Sequence, residues 1–181
     1  MLQEFRKFVG NKVLEYFITH PSTEIHLRDL SRRLKISSGS ARSYCNLFER
    51  DGILHLKRKG NLKLFSLNND NIVVRELKNI YYVILLKEFG IEKLVGNYIS
   101  LAIYGSFASG EYDERSDLDI LIIGEEKDVN KDKILTLQES LKREVQLTVI
   151  PYYKWEKMKK EGDRFVENIL RNHILIGGAE L

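Results

Sequence analysis

The stretch Ser100-Leu101-Ala102-Ile103-Tyr104-Gly105-Ser106, ten further residues, and then Asp117-Leu118-Asp119-Ile120-Leu121-Ile122-Ile123 decides the reading of this chain. Each half is a short apolar run with the length and composition of a buried strand. The first ends in Gly105-Ser106, and the second begins at two carboxylates. Strand alternation puts Asp117 and Asp119 on one face, with α-carbons about 6.5 Å apart, while Leu118 and Ile120 point to the other. Two acids side by side at the open end of a strand repel each other and pack poorly, so they need a cation. Hard oxygen ligands suit Mg²⁺, which takes one or two protein carboxylates and completes its shell with water and substrate phosphate. Gly105 then lets a phosphate approach the backbone. Ser106 offers hydroxyl and amide donors, and the turn that follows aims a helix N-terminus at the anion.

A lone Asp-x-Asp is common by chance. The full order of strand, Gly-Ser, nine residues, Ser116-Asp117-x-Asp119 and apolar strand resembles the DNA polymerase β-type nucleotidyltransferase superfamily, and especially its small members, the minimal nucleotidyltransferases. The resemblance covers about residues 98–181, including a closing helix and strand around Phe165, Ile169, Ile174, Leu175 and Gly177. It implies a mixed β-sheet flanked by helices that binds Mg²⁺ and a nucleoside triphosphate, ATP being the one expected. In such proteins a hydroxyl attacks the α-phosphorus and pyrophosphate leaves. Asp117 and Asp119 would be the catalytic, metal-holding pair, with Gly105 and Ser106 cradling the β- and γ-phosphates. Arg115 is either a further phosphate contact or an exposed loop arginine.

One position departs from the superfamily's pattern. Its active members carry a third carboxylate on a later strand, and in Val145-Gln146-Leu147-Thr148-Val149-Ile150 that place is held by Gln146. A neutral amide cannot act as a base and is a poorer ligand for a second metal. Glu144 lies on the same face but a full pleat away. Two functions therefore stay open: transfer of a nucleotidyl group to a hydroxyl acceptor, or a catalytically weak or inactive nucleotidyltransferase-like regulator that senses a nucleotide or serves as a scaffold. The resemblance also implies a small helical protein partner, which members of the minimal group take.

The other half of the chain is built differently. Leu2, Phe5, Val9, Val13, Tyr16 and Phe17 recur at helical spacing and predict one amphipathic helix over about residues 3–19, ending before Pro21. Leu27, Leu30 and Leu34 mark a second helix, and a serine of the turn Ile36-Ser37-Ser38-Gly39 caps a third, which turns Ala41, Tyr44, Cys45, Leu47 and Phe48 inward. After Gly52 the period changes from helical to alternating: Ile53, Leu54 and Leu56 lead to Arg58-Lys59-Gly60-Asn61, then Leu62, Leu64, Phe65 and Leu67, which predicts a hairpin with a basic tip. Helix, helix, turn, helix and hairpin resemble the winged helix-turn-helix family. The resemblance implies double-stranded DNA as partner. Ser38, Ser40, Arg42 and Ser43 of the recognition helix would meet base edges, Lys57, Arg58, Lys59 and Lys63 of the wing would meet phosphates, and Arg28, Arg32, Arg33 and Lys35 would flank the backbone.

Charge divides the same way. Residues 1–70 hold 13 Lys and Arg against 7 Asp and Glu, hence +6, and residues 71–181 hold 16 against 19, hence −3, which together give the net +3. The fold expected is α+β: a winged-helix domain over 1–70, connecting helices over 71–97, and a nucleotidyltransferase-like domain over 98–181. The connector's stripe, Ile72 or Val73 with Leu77, Ile80 and Ile84, packs against its own domains or forms a two-fold homodimer that presents two wings. No apolar run approaches the ~20 residues of a membrane span, and Met1 to Gly10 lacks a signal-peptide pattern, so a cytoplasmic protein is expected. A single cysteine, Cys45, excludes an internal disulfide. His20, His26, His55 and His173 are scattered without metal-ligand spacing, and Gly105 to Gly110 lacks the Gly-Lys-Ser/Thr ending of a P-loop.

Overall fold

The apolar repeat at the N-terminus does not run as one helix. In the computed structural model, which describes residues 1–181, it splits into α1 (Leu2–Phe5) and α2 (Val9–Thr19). Around the break the hydrogen bonds tighten to three-residue spacing, Lys7 N–H to Glu4 O and Phe8 N–H to Phe5 O, and the Asn11 amide takes up the Phe5 carbonyl at 2.9 Å. Tertiary packing sets where α2 lies. Gly10 sits flush against the Tyr44 ring, and a Cβ there would come within 2.6 Å of it.

Next come β1 (Ile25–His26), α3 (Leu27–Leu34) and α4 (Ser38–Arg50). His26 Nδ1 accepts the Arg28 N–H at the start of α3, and Ser37 Oγ accepts the Ser40 N–H at the start of α4, so both helices begin on a side-chain cap. β2 (Leu54–Lys59) and β3 (Leu62–Leu67) form the hairpin, and β3 lies between β1 and β2 in an antiparallel three-stranded sheet. Val13, Phe17, Leu30, Cys45, Leu54 and Phe65 meet in one core beneath it.

Helix α5 (Ile72–Phe89) carries the chain onward, and the boundary between two compact units, Met1–Tyr81 and Tyr82–Leu181, falls within it. The second unit runs through a 3-10 turn (Ile91–Leu94), β4 (Tyr98–Tyr104), a single helical turn α6 (Ser106–Ser109), β5 (Leu118–Gly124), α7 (Lys131–Leu141), β6 (Val145–Ile150), α8 (Tyr152–Glu161), α9 (Arg164–Arg171) and β7 (Ile174–Gly178). Its sheet has the order β6-β5-β4-β7. β5 and β6 are parallel, joined by the crossover through α7, and the other pairs are antiparallel. β5 is central, which explains why Leu118 and Ile120 to Ile123 are all apolar and buried, with Asp119 the one charge among them. On one face of the sheet Leu121, Ile123 and Ile150 pack against Trp155 of α8 and Val166 and Ile169 of α9. No helix is long and apolar enough to cross a membrane.

Candidate functional site

The site forms where the ends of three neighbouring strands lie side by side, the C-terminal end of β4 and the N-terminal ends of β5 and β6. In the sheet's register Asp119 lies opposite Tyr104 on the antiparallel β4 and beside Gln146 on the parallel β6. Tyr104 is the last residue of β4, so the Gly105-Ser106 turn leaves the sheet directly over the carboxylate end of β5. Gly105 has φ +69 and ψ −150, a backbone conformation essentially reserved for glycine. A Cβ at Gly105 would overlap the Asp119 carboxylate. Glycine is therefore required here twice over, by conformation and by the acid that lies against its backbone. Beyond Gly105 the chain makes one helical turn, whose first amides have no intrahelical acceptor.

The electrostatics of the pair follow from this crowding. Burial raises the Asp119 pKa above the ordinary carboxylate value, and the neighbouring Asp117 charge adds to the effect. A cation at this spot would relieve both causes, and a donor set of carboxylate oxygens matches a hard divalent ion. Gln146 Nε2 donates to Asp117 Oδ2 at 2.7 Å. Gln146, at the position where the resemblance implies a third acid, thus reaches the site, but it offers an amide hydrogen to one of the two carboxylates. No cluster of three or more acids, histidines or cysteines forms.

The loop that delivers Asp117 is tied down from both ends. The Asp113 carboxylate accepts the Arg115 N–H at 2.8 Å and the Ser116 hydroxyl at 3.2 Å, and the first of these bonds is the chief reason its pKa is lowered. Arg143, just ahead of β6, donates through Nη1 to the carbonyls of Asp113 at 2.7 Å and Ser116 at 2.9 Å. Its guanidinium lies 5.4 Å from the Phe107 ring centre and 5.8 Å from that of Tyr112, two rings stacked at 4.4 Å. One side chain thereby joins the turn after Gly105 to the loop before Asp117. Arg143 does not figure in the sequence reasoning, and only its place immediately ahead of a strand hints at it. Arg115 keeps to the loop, with its backbone N–H on Asp113. Glu144 is exposed, and its backbone carbonyl accepts the Leu118 N–H.

The basic residues of the N-terminal unit are differently placed. Ser38 and Ser40 spend their hydroxyls locally, on Ser31 at 3.5 Å and Ser37 at 2.8 Å, while Arg42 and Ser43 stand exposed on α4. In the hairpin Arg58 lies directly opposite Lys63, and neither forms an ion pair. Lys59 is exposed beside the Gly60-Asn61 turn, and Lys57 pairs with Glu24 at 2.9 Å. Arg28, Arg33 and Lys35 form no ion pair, and Arg32 reaches Asp29 at 3.2 Å.

Comparison with known proteins gives a family for part of the chain. Residues 85–176 match the family model described as nucleotidyltransferase domain. No curated protein matches. Among solved structures, a protein of Methanosarcina mazei Go1 described as a possible transcriptional regulator aligns at 14% identity and a TM-score of 0.36, over 50% of this chain and 81% of its own. A toxin-antitoxin structure with AMP-PNP aligns at 13% identity and a TM-score of 0.36, over 56% of this chain and 74% of its own.

Proposed function

The chain belongs to the nucleotidyltransferase domain family, and on that premise we propose that its C-terminal unit binds a nucleoside triphosphate with Mg²⁺ and transfers the nucleotidyl group to a hydroxyl acceptor. The observation that carries this reading is the Asp119 carboxylate, held against a glycine backbone and raised in pKa by burial beside Asp117. Asp117 and Asp119 hold the divalent ion, and Gly105 and Ser106 take the distal phosphates. Bound there, the ion supplies charge neutralisation to the phosphates. The acceptor hydroxyl oxygen forms the new bond to the α-phosphorus, the bridging bond from that phosphorus to the β-phosphate breaks, and pyrophosphate departs with the electron pair. The hydroxyl proton passes to solvent.

Gln146 favours a second reading of the same site. Its amide sits on Asp117 and supplies neither a base nor a third anionic ligand. A site so built binds the triphosphate and turns it over slowly or not at all, as suits a regulator that senses a nucleotide. The N-terminal unit fits that role as a winged helix-turn-helix that binds double-stranded DNA. Arg58 opposite Lys63 is the supporting feature, because like charges facing each other across two strands are destabilising unless a polyanion covers them.

The test is calorimetric titration of ATP with Mg²⁺ into the wild type and into Asp117→Ala/Asp119→Ala, followed by incubation with labelled triphosphate and a cell extract. Mg²⁺-dependent binding should vanish in the double variant while its fold persists. Equal affinity in the two proteins refutes the site. Label transfer by the wild type alone selects the enzyme; binding without transfer selects the sensor.

A further inference from the structure

Beside Gly105 the C-terminal unit has a cavity of about 290 Å³, lined by Tyr104, Gly105, Phe165, Asn168, Ile169 and Asn172. It lies at the small end of the ~300–1,000 Å³ typical of ligand pockets, a size for one flat ring system rather than a whole nucleotide. Ile169 is buried. Tyr104 is fixed by the bond between its hydroxyl and Thr148 Oγ1 at 2.9 Å, and it meets Phe165 edge-on, with ring centres 5.8 Å apart. Phe165 is more than a third exposed although it borders an apolar cavity, so its ring offers a face that the protein does not cover.

Asn168 and Asn172 line the same cavity four residues apart, the first on α9 and the second at its end. Both side chains are exposed, and neither amide is engaged by a protein partner. Asparagine is a weak helix former, and neither residue caps the start of α9, where Asp163 does so. Their service to the fold is therefore slight. Each amide presents a donor beside an acceptor. The rise along the helix between the two positions is about 6 Å, so both amides can face one bound ring system.

We propose that this cavity is the base subsite of the triphosphate site, that it takes adenine against Phe165 and Tyr104, and that Asn168 and Asn172 read the base edge. Adenine presents a donor next to an acceptor, the pattern an asparagine amide complements in both directions, whereas the corresponding edge of guanine presents two acceptors. The subsite rests on the reading of Gly105, Ser106 and the two aspartates as the triphosphate site, because Gly105 is shared between the two.

The experiment compares inorganic tripolyphosphate, ATP, GTP, CTP and UTP as ligands in the presence of Mg²⁺. Three proteins are used: the wild type, Phe165→Ala, and Asn168→Ala/Asn172→Ala. In the wild type ATP should bind about 10-fold or more tighter than tripolyphosphate and than the other three nucleotides, the order of gain from one base stacked on an aromatic ring. Both variants should lose that advantage and keep the tripolyphosphate affinity, which also certifies their fold. Adenosine should compete with ATP down to the tripolyphosphate level and no further. ATP binding no tighter than the other nucleotides, or an ATP preference that survives both variants, overturns the base subsite while leaving the triphosphate site standing. Tripolyphosphate that fails to bind the wild type overturns the triphosphate site and the base subsite with it.

Discussion

Gln146 occupies the position beside Asp119 in the parallel pair of β5 and β6, and its amide lies on Asp117 at 2.7 Å. Changing it to aspartate keeps the side-chain length within one methylene and reverses the chemistry, since a donor becomes an anion that can take a proton from an acceptor or share a cation. Positioned general bases contribute roughly 10²–10⁴-fold to rate. Gln146→Asp should therefore raise any nucleotidyl transfer by up to that factor, read as labelled product per minute at saturating triphosphate. The same change adds a third negative charge to a pair already crowded enough to raise Asp119. Its melting temperature should fall below wild type without Mg²⁺ and recover when Mg²⁺ is added, by the stabilisation that selective binding to the folded state confers. No gain in transfer together with an unchanged melting temperature would mean that residue 146 lies outside the reacting centre.

Elements differ in how far sequence alone reveals them, and the reason is the range of the forces that set them. The strand that ends in Tyr104, the carboxylate pair at the head of β5, and the hairpin of β2 and β3 follow from alternation and turn chemistry within a few residues. The break between α1 and α2 does not, because the apolar spacing runs unbroken through it while the backbone tightens at Lys7 and Phe8 and the Asn11 amide takes the Phe5 carbonyl. Arg143 and the asparagines of α9 are hidden because their partners or their cavity arise only once the sheet order β6-β5-β4-β7 exists. The hairpin carries its own prediction. Lys59 is exposed near the tip, Arg58 faces Lys63, and Lys57 is tied to Glu24. If the tip holds DNA phosphates, Arg58→Ala/Lys59→Ala/Lys63→Ala should weaken binding to any duplex. The slope of log K against log salt should flatten by about 1 for each phosphate no longer neutralised, hence by up to ~3. Lys57→Ala should cost less, its charge being already matched. An unaltered slope in the triple variant would remove the hairpin from the interface.

At the scale of the whole chain, each unit carries one natural reporter. Cys45, the single cysteine, is fully buried in the core of Met1–Tyr81, and Trp155, the single tryptophan, is buried against the sheet of Tyr82–Leu181. Burial pushes the Cys45 thiol up to about 12. At pH 8 only ~1 thiol in 10⁴ would be ionised in the folded protein, and the thiolate is the reactive form, so thiol reagents should label the chain only as the first unit unfolds. The sign of the pH effect is fixed by the same shift. The folded unit retains the thiol proton that the unfolded chain releases near pH 8.5, so this contribution to stability is whole below pH ~8.5 and falls as pH rises toward 12. Because each unit has its own apolar core, urea titrations at pH 8 should give different midpoints for Cys45 labelling and Trp155 fluorescence. Raising the pH to 10 should lower the labelling midpoint more than the fluorescence midpoint. Coincident midpoints at both pH values would mean that the helix Ile72–Phe89, which contains the boundary, couples the units into one cooperative transition.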